Sequence, residues 1–128
     1  MVTQFKRFLA GGAVATLLHW AVMAALIGLG AMPPMATAVG AGMGLLANYL
    51  AQHRYTFRSR QSHQTAFPRY VSAAATGWLV NLVAFVAMQR AGAALIAAQL
   101  AATAIATAIN FFLARRFVFD DWSYSHPE

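Results

Sequence analysis

The chain has 128 residues, a net charge of +6, 60% hydrophobic and only 9% charged residues; by length it is one domain, and it is too poor in charge to face water on all sides. Soluble domains carry about 25% charged residues, so the solvent this composition calls for is lipid. No cysteine is present, which excludes disulfides and thiolate-held metals, and the basic residues stand at the ends of apolar runs rather than on a face of their own, which argues against nucleic acid as a partner.

Four apolar segments follow one another: roughly 8–30, 34–52, 70–89 and 92–114. Each reaches the ~20 residues that a helix needs to cross about 30 Å of hydrocarbon. Lipid offers an open backbone no partners, so each is expected to be helical. The first follows Lys6 and Arg7 and resembles a signal peptide. Its apolar run is too long for that, and it has a counterpart beginning at Arg69.

That counterpart belongs to a repeat of the whole chain, the pattern to seek before any other. A shift of 62 residues, without a gap, gives 11 identities over the 53 pairs that start from positions 5 to 57. Phe5, Arg7, Asn48, Arg54 and Phe57 fall on Phe67, Arg69, Asn110, Arg116 and Phe119. Each repeat is an apolar hairpin flanked by arginines. The expected organisation is therefore one four-helix transmembrane domain over 1–122, with repeat 1 at 5–60, repeat 2 at 67–122 and a short polar tail at 123–128. The stretch from Asp120 to Glu128 holds every carboxylate of the chain and is expected to be disordered.

The turns alternate in character. Ala31-Met32-Pro33-Pro34 and Arg90-Ala91-Gly92 are tight, whereas His53 to Pro68 is a longer polar loop. That loop and the two ends of the chain hold Lys6, Arg7, Arg54, Arg58, Arg60, Arg69, Arg115 and Arg116, leaving Arg90 alone on the other side. The asymmetry predicts both termini in the cytoplasm. The two hairpins are then parallel, related by an axis along the membrane normal. Phe5, Phe8, Tyr55, Phe57, Phe67, Tyr70, Phe117, Phe119 and Trp122 gather at the same boundary, where rings anchor helix ends.

The spans lack a buried carboxylate, the relay that proton-driven pumps use. This weakens a reading as a small multidrug exporter, a class that matches in size. No Ser/His/Asp set, glycine-rich phosphate loop or metal cluster is present, and His19, His53, His63 and His126 have no ligand spacing. The chain is expected not to be an enzyme and to need no cofactor or metal.

What the spans do hold is ordered. Ala36, Gly40, Gly44, Asn48 and Gln52 recur every four residues in the second helix, and Ala98, Ala102, Ala106, Asn110 and Ala114 in the fourth. Gly11, Ala15 and His19 form the ridge of the first, and Ala73, Gly77 and Asn81 that of the third. Small residues four apart let helices approach closely, so Gly11, Gly40, Gly44 and Gly77 are candidate packing positions. The Gly40/Gly44 pair could serve a homodimer or the hairpin itself. Packing with interhelical hydrogen bonds accounts for each polar residue singly. The sharper reading is a polar path: Asn48 and Asn110 stand about 9 Å from Arg54 and Arg116 along the helix, while His19 and Asn81 lie near midplane.

The arginine rim also has two readings. Topology alone accounts for it, yet basic pockets between helices on the cytoplasmic side bind phospholipid-type headgroups. Arginine suits phosphate better than lysine because its planar fork donates two parallel hydrogen bonds. The repeat duplicates Arg7, Arg54, Arg69 and Arg116, which makes these the candidate phosphate ligands, with Arg58 and Arg60 as solvated loop charges.

These residues resemble the GtrA-like family of small four-helix bacterial membrane proteins. The likeness rests on Arg7-Phe8 with Gly11-Gly12, on Asn48-Tyr49 through Arg54-Tyr55-Thr56-Phe57, on Arg69-Tyr70, and on Asn110-Phe111 through Arg115-Arg116-Phe117-Val118-Phe119. It covers residues 5 to about 120. The family pattern often has Asn-Arg where this chain has Gln52-His53 and Ala114-Arg115. The resemblance implies translocation, or help with translocation, of an undecaprenyl-phosphate-linked monosaccharide across the bacterial cytoplasmic membrane for cell-envelope polysaccharide, beside a membrane glycosyltransferase. Arg7, Arg54, Arg69 and Arg116 would hold the phosphate. His19, Asn48, Asn81 and Asn110 would meet the sugar hydroxyls, and a homodimer would give room for a path. The alternative is a membrane anchor or assembly partner of the glycosyltransferase that moves nothing, with the 54–69 loop as its docking surface.

Overall fold

In the computed structural model, which describes residues 1–120, four α-helices make two hairpins: α1 (Val2–Gly28) with α2 (Pro33–Ala51), and α3 (His63–Arg90) with α4 (Leu95–Leu113). The chain divides into two compact units, Met1–Ser59 and the part from Arg60 onward. α1, α3 and α4 with its extension are long and apolar enough to cross a membrane. The fourth expected span, α2, falls short of that standard, because prolines, glycines and Asn48 dilute its apolar content over only 19 residues.

The interior of each hairpin is built from small residues. Ala15, Ala36, Gly40 and Gly44 are buried in the first, and Ala73, Gly77, Ala98, Ala102 and Ala106 in the second. Large apolar side chains face out instead: Leu17, Trp20, Trp78, Val83 and Leu100 are all more than half exposed. In water this would be inside out. In lipid it is expected, because tails solvate leucine as well as a core does and only close backbone packing distinguishes one helix face from another.

The far turns are duplicated atom for atom. Gly30 at φ +92 and Gly92 at φ +90 end α1 and α3 in the left-handed region that favours glycine. Ala31 N donates to Leu26 O at 2.9 Å, and Ala93 N to Met88 O at 3.0 Å. Gly30 N donates to Ile27 O at 3.0 Å, and Gly92 N to Gln89 O at 3.1 Å. These are the paired bonds of a Schellman end, which supply donors to carbonyls the helix leaves open. The next helix then begins from an extended residue, Met32 or Ala94. Pro33 opens α2, where its missing N–H costs nothing.

Two boundaries differ from the sequence expectation. The polar connection is shorter than 53–68, because α3 starts at His63: Ser62 accepts from Thr65 N at 3.3 Å, and Pro68 sits inside the helix. The second difference lies at the end of α2 and α4. Each runs on into a π-helical turn, Gln52–Thr56 and Ala114–Val118, closed by bonds from Phe57 N to Gln52 O and from Phe119 N to Ala114 O, both 2.9 Å. The expected tail at 123–128 lies outside the described residues.

Candidate functional site

The π turns place the arginines. A helix end leaves carbonyls without intrahelical donors, and a π turn widens the backbone there. Arg7 Nη1 donates to Tyr55 O at 3.3 Å and Arg69 Nη1 to Phe117 O at 3.4 Å, so the first helix of each hairpin is pinned to the π turn of the second. Arg69 adds a stack, its Cζ 5.5 Å from the Phe117 ring centroid. Arg54 and Arg116 stand exposed on the same turns. None of these four guanidinium groups has a carboxylate partner among the described residues, whose one carboxylate is Asp120. Each hairpin thus carries one pinned and one outward arginine at the same end.

The polar residues of the spans sit at helix crossings. In the first hairpin, α2 lies so close to α1 that a Cβ on Gly40 would come within 2.6 Å of His19 O and 2.8 Å of the His19 ring. One on Gly44 would meet Ala15 O at 2.9 Å. The Gly40/Gly44 ridge is therefore occupied within its own hairpin. His19 Nε2 is buried against this crossing with no hydrogen-bond partner among the described residues. Asn48 lies one crossing level nearer the rim, its Oδ1 3.7 Å from the site of a Cβ on Gly11.

The second hairpin places its asparagine differently. Asn110 lies against Gly77, the counterpart of Ala15, and its Oδ1 is buried without a partner among the described residues. Where glycine opens a hollow on the first helix, the asparagine enters: at Gly11 in one hairpin and one turn deeper, at Gly77, in the other. Asn81, the counterpart of His19, accepts from Thr103 Oγ1 at 3.4 Å, which in turn accepts from Gln99 Nε2 at 3.0 Å. Sequence reading passed over Gln99 and Thr103 because they lie off the small-residue ridge. Their spacing of four residues was the available signal.

Sequence reading also missed the buried polar rim of the first hairpin. Gln52, His53 and Thr56 are 2%, 8% and 3% exposed, and the His53 ring stands 5.8 Å from that of Tyr49. The four-residue period from Asn48 through Gln52 to Thr56 pointed there. A helix taken to stop at 52 hid it.

Small-residue helix crossings, outward-facing leucines, valines and tryptophans, and arginines that gather, Arg90 apart, at one end of each hairpin define a helical integral membrane protein. The family model of the GtrA/DPMS transmembrane domain matches residues 7–119; the chain belongs to that family. No curated protein matches the chain.

Proposed function

We propose that the protein moves, or helps to move, a polyprenyl-phosphate-linked monosaccharide across the bacterial cytoplasmic membrane for envelope polysaccharide glycosylation. The observation that carries this reading is the duplicated arginine pair: two guanidinium groups at the same end of each hairpin, none with a carboxylate partner among the described residues. Unneutralised arginines at a membrane boundary attract a lipid phosphate. Membership in the family supports a lipid-linked sugar as cargo.

In this reading all four helices span, α2 included, and the arginine ends and both termini face the cytoplasm. Arg54 and Arg116 engage the phosphate, while Arg7 and Arg69 hold the turns that present them. His19, Asn48, Asn81 and Asn110 offer hydrogen bonds to sugar hydroxyls between rim and midplane. A membrane glycosyltransferase charges the lipid on the inner face, and a second copy of the chain supplies the space that one copy lacks.

The test is reconstitution. Purified protein in vesicles, loaded with a polyprenyl-phosphate-linked hexose on one side, exposes the sugar to an impermeant oxidant on the other. Replacing Asn48 and Asn110 together with leucine should stop exposure at equal protein level. Unchanged exposure refutes the polar path. Co-purification with a glycosyltransferase, without any translocation by the intact protein, favours the assembly-partner reading.

A further inference from the structure

Three rim positions carry polar side chains in the first hairpin and apolar ones in the second. In the second hairpin, Ala66, Ala114 and Val118 are 0%, 3% and 0% exposed and close the arginine end with apolar packing. Under the 62-residue shift their counterparts are Gln4, Gln52 and Thr56. Gln52 and Thr56 are as deeply buried as the residues they replace. The Oε1 atoms of Gln4 and Gln52 are both buried without a hydrogen-bond partner among the described residues. α1 packs directly on the π turn that carries Gln52 and Thr56.

Whichever way each amide is turned, a group able to hydrogen-bond is shut away at this rim. Burying it unmatched costs stability. The second rim shows that the same backbone packs well with two alanines and a valine, so packing does not call for the amides. Two further features distinguish the two rims. Arg58, directly after its π turn, holds φ +50, a conformation side chains rarely adopt. The second rim carries braces of its own, the Arg69–Phe117 stack and a bond from Gln61 Nε2 to Asp120 O at 2.6 Å.

From this we infer that the arginine end of the first hairpin is a binding site for a neutral, hydroxyl-bearing headgroup, read by the amides of Gln4 and Gln52 and the hydroxyl of Thr56. An amide donates and accepts, as a hydroxyl does, and none of the three carries a charge, so the set matches sugar hydroxyls rather than an ion. Arg54, on the same π turn and exposed, lies beside it for the phosphate. Recognition is then asymmetric: each hairpin carries its own arginines for a phosphate, and the first alone reads the sugar. This rests on the lipid-linked-sugar reading above and names where that sugar is sensed.

The experiment exchanges rims. Gln4→Ala, Gln52→Ala and Thr56→Val give the first hairpin the set that packs the second, and Gln52→Ala alone serves as a milder variant. Thermal melting in nanodiscs is followed with a short-chain polyprenyl phosphate, bare or linked to glucose, galactose or mannose. At least one glycosylated lipid should raise the Tm of the unaltered protein by about 3 °C more than the bare lipid. The exchange should remove that difference while keeping the response to the bare lipid. Equal shifts from all four lipids in the unaltered protein overturn the inference, as does a sugar-dependent shift that survives the exchange. So does an exchanged protein that melts higher with no sugar response in the parent, because the cluster then holds only water. A sugar-dependent shift without translocation in vesicles leaves the inference standing and refutes transport alone.

Discussion

Arg69 grips Phe117 twice, donating to its carbonyl at 3.4 Å and lying over its ring at 5.5 Å. Arg7 repeats the first contact on Tyr55 at 3.3 Å and has no ring beneath it among the described residues. The same 48-residue reach joins each pair. Two segments aligned by scattered identities thus share one contact: an arginine early in one helix fastens the π turn that ends the next.

Lysine cannot reproduce both contacts, since an ammonium is a point donor without a face to stack. Arg69→Lys should therefore lower stability more than Arg7→Lys, by about 0.5–1 kcal/mol, the worth of an exposed cation–π contact. Denaturant titration of the two variants in micelles measures the difference. Equal losses would show that the ring contributes nothing.

The Gly40 crossing supplies a sharper contrast. A methyl there meets a backbone oxygen and the His19 ring inside 3 Å, and a backbone cannot swing aside as a flexible side chain can. Gly40→Ala should cost about 1–3 kcal/mol, the range for overpacking. At Gly42, on the same helix, nothing lies within 4 Å. Gly42→Ala should be neutral or slightly stabilising, since glycine gives up the most chain entropy in a helix. Melting of the two variants side by side checks both signs.

The far turns allow a test of the duplication itself. Gly30 at φ +92 and Gly92 at φ +90 both lie in the left-handed region, so alanine at either should cost about 1–2 kcal/mol. Near-equal losses are the expected result from thermal melts of the two single variants.

Topology is checkable because the chain contains no cysteine. Ala91→Cys, in the exposed far turn, should react with an impermeant maleimide on intact cells, and Thr3→Cys only after permeabilisation. The reverse pattern would invert the arginine rim and remove its access to a lipid charged inside the cell.

Much of this molecule was legible in the sequence, and the failures lie at helix ends. Apolar length gave four helices, the four-residue ridges gave the faces that meet, and the shift of 62 paired Arg7 with Arg69. Three things did not show. The π turns have no residue signature, because an i to i−5 bond adds one residue per turn without changing which residue types fit it. The start of α3 was masked by Pro68, which reads as a breaker yet lies inside a helix that Ser62 caps five residues earlier than the proline would suggest. The buried rim of Gln52 and Thr56 followed from the first error, since a helix taken to end at 52 has no inner face at 56.

The last prediction concerns where an asparagine lies. Gly77 leaves a hollow on α3 that the Asn110 side chain fills; the counterpart of Gly77 is Ala15, and in the first hairpin the asparagine Asn48 lies against Gly11. If the glycine decides this, Gly77→Ala alone forces the Asn110 amide out of its place and should destabilise by about 1–3 kcal/mol. Asn110→Ala alone loses contacts and leaves a void, with a smaller cost because its Oδ1 has no hydrogen-bond partner to lose among the described residues. Together the two changes place alanine against alanine, as small residues meet along the rest of that crossing. The double variant should then be more stable than the two single losses added, by roughly 0.5–3 kcal/mol of coupling. Strict additivity in a double-mutant cycle would show that the hollow and the amide are independent, and that the offset between the two asparagines has another origin.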